Sequence, residues 1–117
     1  VPVIVLGDRF GAACDHRLIG CAHEVLDANR IAAARNRPYS GGYVLDRHGA
    51  PGRGVHAIQV EVCRASYLDE TLDNPGAELA RMGQVLSKMV EALAQETVRL
   101  GAAQQSRRPS SWLNAAA

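Results

Sequence analysis

The chain has 117 residues, a formal net charge of +1, 47% hydrophobic and 21% charged residues, which bounds it to one globular domain with a modest core and excludes two independent domains. Its arginines are scattered, so the basic stripe of a nucleic-acid binder is missing. No apolar run approaches the roughly 18 residues that cross a bilayer. The opening Val1-Pro2-Val3-Ile4-Val5-Leu6 has neither the basic flank nor the length of a signal segment. These features point to a cytoplasmic protein, and three cysteines suit a reducing compartment better than a disulfide framework. A first residue of Val rather than Met points to processing or truncation.

Val3 to Leu6 is a continuous apolar run closed by Gly7-Asp8, the pattern of a strand buried on both faces and hence of an α/β sheet. Asp15 is placed to cap a helix reaching Asn29, along which Leu18, Ala22, Val25 and Leu26 share a face. Ile31 to Ala34 reads as a second strand, so residues 3 to 34 form a βαβ unit. Asn36 to Gly54 holds Pro38, Pro51 and five glycines and reads as a long irregular loop. From His56 to Cys63 the chain alternates, with Ile58, Val60 and Val62 on one face and Gln59, Glu61 and Cys63 on the other. Asn74-Pro75 reads as a cap and first-turn proline of a helix running to about Leu100. Its stripe of Leu79, Met82, Leu86, Met89 and Leu93 covers two heptads before Glu96, which favours a helix lying over the core rather than a coiled-coil seam. Gln104 to Ala117 reads as a disordered tail.

Two polar clusters directly follow predicted strands, Gly7-Asp8-Arg9-Phe10-Gly11 and Asn36 to Tyr43, and open α/β sheets bind ligands beyond the carboxyl ends of their strands. Phe10, Tyr39, Tyr43 and Tyr67 fall in or beside polar segments, which leaves the core aliphatic. Glu61 must project from a sheet face, where a carboxylate is costly unless it is solvated, functional or paired, here with Arg64 or Arg9. Cys14, His16, Cys21 and His23 carry metal-binding atoms, but i, i+2 pairs on a helix point to different faces and form no tetrahedral cage. Gly41-Gly42 is not read as a phosphate loop, because no helix start follows it in the sequence.

The order Gly7-Asp8-Arg9-x-Gly11-x-x-Cys14, then Asn36-x-Pro38-Tyr39-x-Gly41-Gly42-Tyr43, then His56-Ala57-x-Gln59-x-Glu61-x-x-Arg64-x-x-Tyr67-x-Asp69-Glu70 strongly resembles the N-formylglutamate amidohydrolase family. The resemblance runs from about Val3 to Leu93 and corresponds to the carboxyl-terminal part of that family. It implies an α/β fold similar to the zinc carboxypeptidases, of phosphorylase/hydrolase-like type. The chain is then a βαβ-containing fragment with a long C-terminal helix, and residues 1–103 are the carboxyl-terminal part of an amidohydrolase domain. It also implies zinc-dependent hydrolysis of N-formyl-glutamate to formate and glutamate in histidine degradation. The zinc ligands, on this resemblance, lie upstream of the matched segment and have no counterpart in the chain, which is expected to be inactive alone.

The resemblance further implies that Glu61 is the proton-shuttling carboxylate, on a central strand. Arg9 and Arg64 then bind substrate carboxylates through bidentate contacts. Asn36, Tyr39 and Tyr43, on a loop hinged at Gly41 and Gly42, close over the substrate, and Gln59 joins the substrate-binding set. The implied partners are the small-molecule substrate and an amino-terminal half or partner chain, with neither nucleic acid nor membrane. Three positions depart from the family pattern and bear on substrate preference: Phe10 stands where the family usually has a histidine, and Ala12-Ala13 replaces a hydroxyl-bearing pair. The rival reading is a non-catalytic module that keeps the fold and binds small carboxylates or a partner chain. An exposed apolar surface would mark the chain as part of a larger unit.

Overall fold

The computed structural model describes residues 2–106. Ile4–Gly7 forms β1, and all four of its residues are buried. Asp15 caps α1, His16–Ala28, by accepting the Arg17 N–H at 2.8 Å, which satisfies one of the donors a helix start leaves without an internal partner. The chain then turns through Arg30, at φ 59, into β2, Ala33–Arg35. β2 lies parallel to β1 with Ile4 opposite Ala33, so the expected βαβ unit forms. Ile31 stays outside the strand and joins the core instead.

The stretch from Asn36 to Gly54 is more ordered than its glycines and prolines suggest. It holds α2, Tyr43–His48, and a 3₁₀ turn at Pro51–Arg53 closed by a bridge between Ala50 and Val55. Gly42 is the N-cap of α2, so a helix does start directly after Gly41-Gly42, contrary to the sequence reading. Six residues are too few for a 3.6-residue periodicity to register.

β3, Gln59–Val62, runs antiparallel to β1 on the side away from β2, giving the order β2-β1-β3. The register sets Val5 opposite Glu61 and Gly7 opposite Gln59. Within the described residues β1 is therefore the central strand and β3 an edge, which corrects the expectation that Glu61 sits on a central strand. A 3₁₀ turn, Arg64–Ser66, follows at once.

The last helix, α3, spans Leu79–Ser106 and begins five residues after Asn74. Asn74 and Pro75 are occupied elsewhere: Pro75 bridges Leu68, and Asn74 donates from its side-chain and backbone nitrogens to Asp69. Asp69 also accepts from the Thr71 hydroxyl and the Asp73 N–H, and these donors, Thr71 first, hold its carboxyl down at about 2. α3 reaches three residues into the stretch expected to be a tail; residues 107–117 of that stretch lie outside the described residues.

The main core joins these elements. Ile4 and Leu6 of β1, Leu26 of α1, and Met82, Val85 and Met89 of α3 are at most 5% exposed and pack together, with Ile58, Val60 and Val62 against them. Both long helices thus cover the same face of the sheet. The opposite face, which carries Val5, Gln59 and Glu61, is covered by neither. Among the described residues no helix is long and apolar enough to cross a membrane.

Candidate active-site cleft

Because β1 and β2 are parallel, both release the chain at the same end of the sheet, and two residues tie the segments that follow. Asp8 is the one charged residue that is buried among the described residues, at 3% exposure. Its Oδ1 accepts from the Gly11 N–H at 3.2 Å and from Asn36 Nδ2 at 2.9 Å. The Asn36 Oδ1 in turn accepts the backbone N–H groups of Asp8 at 3.0 Å and Phe10 at 3.3 Å. Arg9, Phe10 and Asn36 have φ values of 56, 53 and 64, a region that side-chain-bearing residues adopt at a cost and that this reciprocal bonding maintains. Asn36, expected to touch substrate, spends its side chain on the protein's own backbone and on the Asp8 carboxylate.

Arg9 is similarly engaged. Its Nε donates to Asp46 Oδ1 on α2 at 2.8 Å, and its Nη1 donates to Ser40 Oγ at 3.2 Å and to the Gly41 carbonyl at 3.1 Å. Its backbone N–H donates to the Ser40 carbonyl at 2.8 Å, and the loop crosses so close to Gly7 that a Cβ there would lie 2.7 Å from the Ser40 carbonyl carbon. Only glycine fits such an approach. Gly41, at φ 108, and the cap residue Gly42 shape the entry to α2, and Tyr43 stands 75% exposed upon it.

On the uncovered face of the sheet a cleft of about 350 Å³ opens. Val5 of β1, Pro38 and Tyr39 from the segment after β2, and Glu61, Cys63 and Arg64 from β3 and its following turn line it. Glu61 Oε1 accepts from Gln59 Nε2 at 3.1 Å, two residues along the same face. Neither arginine proposed as its ion-pair partner takes that role: Arg9 pairs with Asp46, and the Arg64 guanidinium makes no hydrogen bond or ion pair among the described residues. The structure thus brings Tyr39, Glu61 and Arg64 to one cleft with Gln59 beside them. It assigns Arg9, Asn36, Gly41 and Gly42 to building the loops, and leaves Tyr43 in solvent. Sequence reasoning missed the role of Asp8, whose only signal is a carboxylate placed directly after a buried strand.

The histidines and cysteines that suggested a metal are dispersed. Cys14 is buried, and desolvation followed by the charge of Asp8 pushes its thiol up to about 12. His23 Nδ1 accepts from Arg35 Nε at 3.0 Å, and His56 Nδ1 accepts the Asp15 N–H at 3.0 Å. Among the described residues no three His, Cys, Asp or Glu side chains are grouped to hold a metal ion. By themselves they do not fit the zinc that the resemblance implies.

These features define a small α/β unit with helices on one face of its sheet and, on the other, a mostly apolar cleft that carries Glu61 and Arg64. Residues 1–68 match the family model of N-formylglutamate amidohydrolase, a stretch that contains every side chain lining the cleft, and the chain belongs to that family. An N-formylglutamate deformylase of Pseudomonas putida is 31% identical over 99 residues, covering 80% of this chain and 36% of that protein. Another, from Pseudomonas aeruginosa, is 28% identical over 102 residues, covering 86% of this chain and 38% of its own length. The crystal structure of N-formylglutamate amidohydrolase from Ralstonia eutropha JMP134 is similar with a TM-score of 0.79 at 26% identity, over 85% of this chain and 35% of the other. The chain spans a little over one third of the length of these relatives.

Proposed function

We propose that this chain carries the proton-transfer and substrate-facing part of a site that hydrolyses N-formyl-glutamate. The observation that supports this reading is the convergence of Tyr39 from one motif with Glu61 and Arg64 from another on one cleft. In the proposed reaction the Glu61 carboxylate, steadied by Gln59, takes a proton from the water that attacks the formyl carbon. It returns that proton to the glutamate nitrogen as the C–N bond breaks, releasing formate and glutamate. Any zinc would draw its ligands from outside the described residues. The zinc-carboxypeptidase-like fold, the placement in histidine degradation and the cytoplasmic setting rest on the same family reading.

The test is formate release from N-formyl-L-glutamate, by the chain alone and by the chain joined to the part of the Pseudomonas putida relative that it does not span. Background rate is expected from the first. Turnover is expected from the second, lowered about 10² to 10⁴-fold by Glu61→Gln, the usual range for general acid-base catalysis. Turnover that is indifferent to Glu61→Gln would remove Glu61 from the reaction.

One observation fits a second reading as well as the join to the rest of a hydrolase. Phe10, Tyr39, Tyr43 and Val44, in the segments after β1 and β2, are 65%, 53%, 75% and 62% exposed, and apolar groups so placed mark a contact surface. On this reading the chain is a non-catalytic module that uses that end to dock on a partner chain. The joined protein is then inert.

A further inference from the structure

We infer that a second hollow, at the end of the sheet where β1 begins, binds a free apolar α-amino acid, selected by its ammonium group. The inference goes beyond the proposed hydrolysis and does not rest on it. The hollow holds about 240 Å³, room for roughly eight waters at ~30 Å³ each and hence for a molecule the size of valine or leucine. It lies at the opposite end of β1 from the Asp8 and Asn36 loops, and shares Val3 with the cleft but no other described lining residue. Its floor is apolar: Ile31 and Met82 belong to the main core, and Val3 packs against that core.

Four polar side chains stand around this floor: Arg30 from the turn before β2, Ser66 from the 3₁₀ turn after β3, and Glu78 and Arg81 from the start of α3. Arg81 Nη2 donates to the Asn29 carbonyl at 2.7 Å, which steadies that guanidinium and leaves its other donors open among the described residues. The Arg30 guanidinium and the Glu78 carboxylate line the same hollow, yet neither makes a hydrogen bond or ion pair among the described residues. The Ser66 hydroxyl spends its hydrogen on the Cys63 carbonyl, so to a ligand it offers lone pairs. Two cationic donors and two acceptors therefore surround one apolar floor. A simple carboxylate would satisfy the arginines and be repelled by Glu78. A free amino acid answers every group: its carboxylate meets the guanidiniums, its ammonium meets Glu78 and Ser66 Oγ, and its side chain covers the floor. An N-acyl amino acid has no ammonium and leaves Glu78 unanswered, so this ligand differs in kind from N-formyl-glutamate.

The experiment is ¹⁵N-detected titration of the 117-residue chain with L-leucine, N-acetyl-L-leucine and L-leucinamide, the last two lacking the ammonium and the carboxylate respectively. L-leucine is expected to shift the amides of Ile31, Ser66 and Met82. It should bind about tenfold or more tightly than either derivative, the usual size of a lost charge-assisted contact. Arg30→Gln should weaken L-leucine about tenfold and L-leucinamide little, and Glu78→Gln should weaken L-leucine about tenfold and N-acetyl-L-leucine little. Arg47→Gln, on α2, should bind as the unmodified chain does. No binding of L-leucine, equal affinity for its N-acetyl derivative, or shifts confined to Tyr39, Glu61 and Arg64 would each overturn the inference. All three are read on the unmodified chain, so they hold however a variant folds. Unchanged L-leucine affinity in both Arg30→Gln and Glu78→Gln would overturn it as well.

Discussion

The two faces of the three-stranded sheet are built from the same strands and have opposite characters. On one face Ile4, Leu6, Val60 and Val62 meet the apolar sides of α1 and α3. On the other, Val5 lies among Glu61, Cys63, Arg64 and the aromatic segment after β2, with no long helix over them among the described residues. Strand side chains alternate with a period of two, so neighbouring residues answer to different demands. Stability resides on the covered face, and recognition is free to reside on the other because little depends on it for folding.

The strongest way to break this contrast is to substitute one residue from each face. Leu6, with no exposed surface, is expected to lose about 2 to 5 kcal/mol as Leu6→Ala, the range for a large aliphatic side chain emptied from a packed core. Glu61→Gln should change stability by less than about 0.5 kcal/mol, as surface substitutions do. Urea denaturation measures both, and comparable losses would show that the uncovered face also carries the fold.

A middle-sized effect sharpens the boundary between the faces. Asn36→Ala leaves the Asp8 and Phe10 N–H groups and one side of the buried Asp8 carboxylate without their partner. A loss of about 1 to 3 kcal/mol is expected, the cost of unsatisfied buried polar groups. Hydrogen exchange should accelerate at Asp8 and Phe10 while the α1 amides stay protected. A loss spread evenly over the sheet would mean that the two loops are not separable from the core.

The smallest effect is chemical. Cys63 is exposed in the cleft, whereas Cys14 is buried with its thiol pushed up to about 12. A thiol reagent at pH 8 should modify Cys63 in the folded chain and Cys14 only after unfolding, since the thiolate is the reactive form. Equal rates at the two sites would contradict the burial that distinguishes them.

Much of the covered face was readable in the sequence. The run Val3 to Leu6, the Asp15 cap, the spacing of Leu18, Ala22 and Leu26, and the alternation of Ile58, Val60 and Val62 are local patterns, and local patterns reflect which side of an element is buried. The start of α3 was misplaced because Asn74 and Pro75 suit a helix start, yet Asp69 and Leu68 claim them through contacts that no periodicity encodes. α2 was hidden by its length and by the glycines around it. In the cleft, the meeting of Tyr39, Glu61 and Arg64 follows from motif order. The commitment of Arg9 to Asp46, 37 residues away, depends on the path of a loop and left no mark in sequence.

The pairing of β1 with β3 also has a consequence for error. In the observed alignment Val5 faces Glu61, flanked by Ile4 with Val62 and Leu6 with Val60. A slip of one residue would turn Glu61 toward Met82 and Met89 and expel Val60 and Val62 into water, because a single step reverses every side chain of a strand. An unpaired carboxylate in that interior costs several kcal/mol, a large part of what a domain this size has to lose. The hydrophobic layer therefore acts as a proofreader for the polar one: chains that misaddress the carboxylate fail to fold, and those that fold deliver it to the cleft.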